Sequence, residues 1–130
     1  MKKFEHFCDA LRNLKDVYEY QEPYTNVEMT GLVALYEICF EQAWKAMKEI
    51  LEQQGFAEER TGSPKLVLKT AYAAGMIADE ELWMEALRAR NNVAHSYNKS
   101  VALDIIQQTK ERFCPMLERL KKEMEEKWLL

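Results

Sequence analysis

The chain has 130 residues, a formal net charge of −4 at pH 7 and 48% hydrophobic residues. This length predicts one domain, residues 1–130, because domains most often have about 100–150 residues. An acidic chain lacks the basic field of a protein that binds duplex DNA. No run of about 18 apolar residues is present, so we expect no contact with a membrane. The N-terminus has no apolar signal segment, which predicts a cytoplasmic protein.

The cysteine and histidine content argues against a metal or disulfide framework. Cys8, Cys39 and Cys114 are odd in number, far apart and set among apolar residues at helical spacing. We interpret them as small core hydrophobes. The chain has only two histidines and no glycine-rich phosphate loop, so we expect no metal and no cofactor.

Apolar residues at three- and four-residue steps predict a first helix over about residues 3–21. Its apolar positions are Phe4, Phe7, Leu11, Leu14 and Tyr18. Pro23 and the polar pair Thr25-Asn26 should end it. His6 lies outside the apolar stripe and is expected at the surface.

A long second helix is predicted over about residues 28–54, with Gly55 as its C-terminal stop. At about 100° per residue, one broad face of this helix is apolar. The residues on that face are Leu32, Tyr36, Cys39, Phe40, Ala43, Met47, Ile50 and Leu51. More than one neighbour is needed to cover so broad a face, which predicts that this helix is the central one.

Three charged residues, Glu37, Glu41 and Lys45, follow the edge of this face at four-residue steps. One interpretation is a solvated stripe with a Glu41–Lys45 ion pair that contributes little to stability. The other is that the acids face an arginine or a partner protein. The sequence leaves both interpretations open.

A polar connection over residues 55–62 precedes a short helix. Ser63 and Pro64 should begin that helix, since serine is a favourable N-cap and proline a favourable first helical residue. Gly75 should end it. Asp79 is placed to cap the next helix, which carries residues 88–97.

A last helix is predicted from residues 98–100 to about residue 127, and Pro115 should bend or interrupt it. Its inward residues are Leu103, Ile106, Phe113, Leu117, Leu120 and Met124. No strand pattern is present. The predicted fold class is all-α, an antiparallel up-and-down bundle of four main helices plus a short one.

Residues 88–97 hold the greatest variety of reactive side chains in the chain. On a continuous helix from Leu82, Arg90 lies within the apolar stripe and His95 lies about 140° away. The apolar residues of that stripe are Leu82, Trp83, Ala86, Leu87, Ala89, Val93, Ala94 and Tyr97. An arginine that faces the core requires an acid partner or solvent. Arg90 and His95 can contact one substrate only if the helix ends before His95, if Arg90 bends around, or if a second subunit contributes its own copy.

One interpretation of this stretch is RNA cleavage without metal. His95 would act as general base or acid on the ribose 2′-hydroxyl, since imidazole titrates near neutral pH. Arg90 would hold the phosphate. Arg88, Asn91 and Tyr97 are the candidate substrate-binding residues. The structural alternative is a histidine favoured by the helix dipole and an arginine that bridges two helices.

Arg90, His95 and Tyr97 resemble the R-x4-H-x-Y motif of HEPN-domain proteins. More of the chain is similar to the nucleotidyltransferase substrate-binding proteins, the helical partners of minimal nucleotidyltransferases. The similar segments are Phe40-Glu41-Gln42-Ala43-Trp44-Lys45, Gly62-Ser63-Pro64, Ala73-Ala74-Gly75-Met76-Ile77 and Glu81-Leu82-Trp83. With the motif, they keep their order between residues 36 and 100.

This resemblance implies a HEPN-like helical bundle that forms a homodimer, with the motif near a cleft between subunits. It also implies a separately encoded nucleotidyltransferase as partner, the two often forming a toxin–antitoxin pair. Arg90 and His95 match the catalytic pair of HEPN ribonucleases, Asn91 the polar residue after the arginine, and Tyr97 the motif tyrosine. Where the family commonly has an acid before the motif arginine, this chain has Ala89.

Two functions follow from the resemblance. The first is a partner subunit that provides a nucleotide or substrate surface for the transferase. The second is a ribonuclease toxin that cleaves RNA through Arg90 and His95 and that the transferase neutralises. Tyr97 lies among poor helix formers, where a transferase could attach a nucleotide and block the site. Met84, outward on the helical wheel, and the broad apolar face of the second helix also indicate a homodimer.

Overall fold

The computed structural model describes residues 2–56 and 62–129, and all the secondary structure in these ranges is helical. Its α-helices are α1 (Lys2–Leu14), α2 (Asn26–Gln53), α3 (Pro64–Ala73), α4 (Glu80–Asn92), α5 (Lys99–Gln108) and α6 (Cys114–Glu123). The predicted all-α bundle is confirmed. Of the predicted polar connection, residues 57–61 lie outside the described ranges. None of the described helices is both long enough and apolar enough to cross a membrane.

Helix α2 is the central element of the bundle, as predicted. It contacts α1, α3, α4 and α5. All eight residues of its predicted apolar face are buried. Burial of these side chains against several neighbours is the main source of the fold's stability, because removing apolar surface from water is the dominant favourable term in folding.

Helix α1 is shorter than predicted, because it gives way to a 3-10 turn, Lys15–Glu19. Such a turn advances about 120° per residue instead of about 100°. It therefore brings Val17 into the core and leaves Tyr18, a predicted apolar position, 46% exposed. The Tyr18 hydroxyl donates to the Lys110 carbonyl oxygen at 2.8 Å. His6 is exposed, as predicted.

Local hydrogen bonds fix both ends of α2. The Thr25 hydroxyl accepts from the Glu28 amide at 3.1 Å, and the Glu28 carboxylate accepts from the Thr25 amide at 2.8 Å, which is a capping box. At the other end, Gly55 has a φ of 79° and the Phe56 amide donates to the Leu51 carbonyl oxygen at 2.9 Å. This left-handed turn requires glycine, so the predicted stop at Gly55 is confirmed.

The predicted caps of α3 and α4 are also present. The Ser63 hydroxyl and the Asp79 carboxylate each accept a hydrogen bond from the backbone amide three residues later, at 3.2 and 3.0 Å. Pro64 is the first residue of α3. Gly75, with a φ of 83°, ends the chain's helical path after α3.

The last predicted helix is continuous but contains a wide turn near its middle. Helix α5 leads into a π-helical turn, Thr109–Phe113, and then into α6, which has Pro115 in its first turn. Proline has no N–H, and its ring crowds the preceding turn. The wider π-helical turn, in which the Cys114 amide donates to the Thr109 carbonyl oxygen, makes room for that ring. Pro115 therefore widens the helix without interrupting it.

Buried aromatic side chains at the centre of the bundle connect α2, α4 and the π-helical turn. The ring centroids of Tyr36 and Phe113 are 5.3 Å apart in a stacked arrangement, and those of Phe40 and Trp83 are 6.1 Å apart. The Tyr36 hydroxyl donates to the carbonyl oxygen of Ala86 in α4 at 2.5 Å. Burial raises the pKa of the Tyr36 hydroxyl well above its ordinary value. It stays protonated, and it fixes α4 against α2.

All three cysteines are free thiols. Cys39 and Cys114 are buried, which confirms their interpretation as core hydrophobes, and Cys8 is partly buried. Burial raises the pKa of each thiol above its ordinary value. The reactive thiolate is therefore disfavoured at all three positions.

Candidate functional site

The arginine predicted to face the core has an acid partner on another helix. Arg90 of α4 donates from Nε to Oε1 of Glu41 on α2 at 2.5 Å. The two side chains are 29% and 23% exposed, so the pair is partly shielded from water. The interpretation in which Glu41 faces an arginine is confirmed. The ion pairs of the described residues do not include a Glu41–Lys45 pair.

The Glu41 carboxylate is shared between two donors. Its Oε2 atom accepts from the indole Nε1 of Trp44, one turn later in α2, at 3.1 Å. Arg90 also donates from Nη1 to the side-chain oxygen of Asn91 at 3.1 Å. Two of the three guanidinium nitrogens are thus engaged, and Nη2 has no hydrogen-bond partner within the described ranges. The guanidinium is held in place and keeps one nitrogen for an anion.

The acid that pairs with Arg90 is distant from it in the sequence. The residue before Arg90 is Ala89, whereas the carboxylate that orients Arg90 comes from 49 residues earlier in the chain. Glu41 was predicted from the sequence as a residue that could face an arginine, but Trp44 was not singled out. Trp44 lies three residues after Glu41 on the same side of α2, and this spacing could have predicted its contact with the Glu41 carboxylate.

The α-helix that carries the motif ends before His95. Helix α4 stops at Asn92, and a 3-10 turn, Val93–His95, follows. Ser96 closes this turn, because its amide and its hydroxyl both donate to the Val93 carbonyl oxygen, at 3.0 and 2.7 Å. The α-helix therefore ends before His95, but the 3-10 turn that follows does not bring the imidazole toward Arg90.

Two residues predicted on the apolar stripe, Ala94 and Tyr97, are exposed, because the chain leaves the α-helical path after Asn92. Tyr97 is 87% exposed, and its ring lies edge-on to that of His95 with 6.4 Å between centroids. The poor helix formers around Tyr97 thus lie after the end of α4. The outward position predicted for Met84 is wrong, since this side chain is partly buried and packs against the core.

Arg90 and His95 are not in contact within one chain. No hydrogen bond or ion pair joins them in the described part of the protein. Two α-helical steps and three 3-10 steps turn His95 about 160° away from Arg90 around the helix axis. A ligand that touches both side chains has to pass around the end of α4 or meet copies from two chains. Arg88 and Asn91, the other candidate residues on α4, are exposed.

The described side chains include no site for a metal ion. In residues 2–56 and 62–129, no three or more His, Cys, Asp or Glu side chains are grouped so that they could hold one. Residues 88–97 carry the fixed guanidinium of Arg90, the exposed one of Arg88, amides, an exposed imidazole and an exposed phenol. These groups suit the binding of an anionic, hydrogen-bonding ligand.

A family model described as "nucleotidyltransferase substrate binding protein like" matches residues 2–126. Among solved structures, a protein from Thermus thermophilus is similar over 91% of this chain and 98% of its own, with 25% identity and a TM-score of 0.81. A Haemophilus influenzae protein is similar over 95% of this chain and 99% of its own, with 19% identity and a TM-score of 0.81. The latter is described as revealing the fold of a substrate binding domain of a nucleotidyltransferase. No curated protein matches the chain.

Proposed function

The chain belongs to the nucleotidyltransferase substrate binding protein like family, and we propose that it is the partner subunit of a separately encoded minimal nucleotidyltransferase. In that complex it provides a surface for a nucleotide or another phosphate-bearing substrate. The partner enzyme supplies the transfer chemistry, and this chain supplies binding and orientation.

The observation that carries the proposal is the fixed guanidinium of Arg90. Glu41 and Asn91 hold it, and its Nη2 atom has no hydrogen-bond partner among the described residues. A fixed guanidinium binds a phosphate group more strongly than a mobile one, because less side-chain freedom is lost on binding. Arg88 and Tyr97 are exposed elsewhere on residues 88–97 and add polar surface that a ligand or partner enzyme can reach.

The test is purification of the tagged chain from its native host, with the co-purifying proteins identified by mass spectrometry. We expect a minimal nucleotidyltransferase in a fixed ratio to the chain. Arg88→Ala should weaken the complex, whereas Arg119→Ala, an exposed arginine of α6, should not. A chain that purifies without a nucleotidyltransferase, even after co-expression with one from the same host, contradicts the proposal.

The same complex tests whether Tyr97 is a substrate of the transferase. Its phenol oxygen would attack the α-phosphorus of ATP, the bond to the β-phosphate would break, and pyrophosphate would leave. The exposed turn at Tyr97 makes that oxygen accessible to a partner enzyme. After incubation with ATP and magnesium, the chain's mass should rise by one AMP unit as the phenol loses its proton, and Tyr97→Phe should prevent the change. An unmodified chain in an intact complex would leave binding alone as its role.

We also propose a homodimer through the outward face of α2. Val27 is 80% and Ile38 53% exposed on this face. Gly31 lies between them, and a Cβ atom there would meet nothing within the described part of the chain. A glycine inside a helix lowers stability by about 1 kcal/mol relative to alanine. Packing within the chain does not explain why residue 31 is glycine, whereas close approach of a second copy does.

Light scattering tests the dimer. The wild-type chain should have twice the 15.3 kDa mass of one copy, and Ile38→Glu should be monomeric because it places a charge in the contact. Leu66→Glu is the matched control, since Leu66 is similarly exposed, at 48%, on α3. A monomeric wild-type chain, or dissociation by Leu66→Glu alone, argues against this face.

A second candidate function is RNA cleavage without metal, with Arg90, which Glu41 holds, and the exposed His95 as the catalytic pair. His95→Ala and Arg90→Ala should each abolish cleavage of RNA, and a chelator should not. The imidazole of His95 is exposed, so His95→Ala should remain folded. His6→Ala, which removes the other exposed histidine, is the control. Cleavage that persists in His95→Ala, or that stops with EDTA, rules out this chemistry.

A further inference from the structure

A groove along α2 gathers lysine side chains around an indole ring. Its volume is about 440 Å³, within the range of about 300–1,000 Å³ that is typical of small-molecule pockets. The charged and aromatic residues of its lining are Lys3, Trp44, Lys45, Lys48, Glu49 and Glu52. None of residues 88–97 lines it, so the groove is separate from the motif.

Two lysines of the groove lack an acid partner. Lys48 lies 3.7 Å from Glu52, whereas Lys3 and Lys45 have no carboxylate within 4.0 Å among the described residues. Both are partly buried. The aliphatic stem of a lysine can lie along a surface while its ammonium group stays in solvent, so the ammonium groups of Lys3 and Lys45 are available to pair with an anion. The lining has three lysines against two acids, a locally positive surface on a chain of net charge −4.

Trp44 gives this groove an aromatic wall with a fixed orientation. Its indole nitrogen donates to Glu41 at 3.1 Å, which limits rotation of the ring. Nucleic acid bases stack on aromatic side chains, and phosphates pair with lysine ammonium groups. An aromatic wall beside unpaired lysines therefore matches both halves of a nucleotide.

We propose that this groove binds a mononucleotide, with its base against Trp44 and its phosphate at Lys3 and Lys45. This inference rests on the proposed function, because it places the nucleotide surface of the partner subunit. It places a nucleotide-binding groove on α1 and α2, where Lys3 and Trp44 lie, in addition to the anion-binding guanidinium of Arg90 on α4. Glu41 connects the two places, since its carboxylate accepts from both Trp44 and Arg90.

The test is calorimetric titration of the purified chain with AMP. Lys45→Gln and Lys3→Gln should each weaken AMP binding by about tenfold, as expected for loss of a charge-assisted phosphate contact. Lys69→Gln, an exposed lysine of α3, is the matched control and should bind AMP as the wild type does. Circular dichroism of each variant confirms that it is folded. In NMR spectra, the indole N–H signal of Trp44, assigned with Trp44→Phe, should shift on addition of AMP.

Two further ligands separate a nucleotide site from a simple anion site. Adenosine and inorganic phosphate should each bind more weakly than AMP, because each engages only half of the groove. Inorganic phosphate that binds as tightly as AMP, AMP binding that Lys45→Gln leaves unchanged, or equal weakening by Lys69→Gln would overturn the inference. If the chain forms a complex with the transferase but does not bind AMP, the proposed nucleotide groove is wrong and the proposed function stands. If the chain binds AMP in the groove but forms no complex with a transferase, the nucleotide groove is supported and the proposed function is wrong.

Discussion

Glu41→Ala is expected to destabilise the chain by about 2 kcal/mol, because it leaves the Arg90 guanidinium partly buried without an acid. Removing one partner of a fully buried ion pair costs about 3–5 kcal/mol. The Arg90 and Glu41 side chains are 29% and 23% exposed, so water compensates part of that loss. The indole N–H of Trp44 also loses its acceptor in this variant.

Urea unfolding measures this effect, and two comparisons make it specific. Glu37→Ala removes another partly buried acid from the same helix, one turn earlier and without a described ion pair, and should cost less than half as much. A double-mutant cycle with Arg90→Ala should give a coupling free energy of about 1 kcal/mol or more. A cost for Glu41→Ala no greater than that for Glu37→Ala, or a coupling near zero, would show that the contact is only a surface pair.

Phe113→Ala should have the largest effect on stability, about 3–5 kcal/mol, because it opens a cavity beside the stacked ring of Tyr36. That loss is a large fraction of the about 5–15 kcal/mol that holds a domain of ordinary stability folded. Phe113→Leu keeps most of the volume and should cost about 1 kcal/mol. The measurement is the free energy of unfolding in urea, with the slope against denaturant checked for constancy.

Phe56→Ala is the matched control for Phe113→Ala. Phe56 is 52% exposed at the end of α2 and contacts the ring of Trp128. We expect it to cost well under half as much as Phe113→Ala, since much of its ring is already in water. Equal losses in the two variants would mean that the aromatic centre around Tyr36 is not the most tightly packed part of the bundle.

The elements that the sequence predicted best are those set by neighbours a few residues apart. The caps at Ser63 and Asp79 and the stop at Gly55 depend on a hydrogen bond or a φ angle within one helical turn. The apolar face of α2 was also predictable, because a 3.6-residue period repeated over about seven turns identifies one side of the helix as the buried one. Nothing distant in the chain has to be known for any of these features.

The sequence did not reveal where helical geometry changes from one type to another. Because of the 3-10 turn Lys15–Glu19, Val17 lies in the core where Tyr18 was predicted. After the turn Val93–His95, Tyr97 lies in solvent. Both changes satisfy packing against other helices, which local periodicity does not contain. The π-helical turn Thr109–Phe113 is of the same kind, since Pro115 predicted a distortion but not its form.

The sequence identified most residues of the candidate site but not how they are arranged in space. Arg90 required an acid on physical grounds, and Glu41 was one of the acids that could serve, but only tertiary structure brings residues 49 positions apart together. The participation of Trp44 depends on that contact and was not foreseen. His95 and Arg90 are close in sequence, but ideal α-helical and 3-10 steps turn them about 160° apart around the helix axis.

The carboxylate of Glu41, shared by Trp44 and Arg90, connects the groove to the motif through one side chain of α2. If a ligand against Trp44 strengthens or weakens the hold of Glu41 on Arg90, it changes the affinity of Arg90 for an anion by some factor. Linkage then requires that an anion on Arg90 change the affinity of the groove by the same factor. A single side chain, Glu41, would set the size and the sign of that cooperativity, and Glu41→Gln, which keeps the acceptor oxygen and removes the charge, would alter both affinities together.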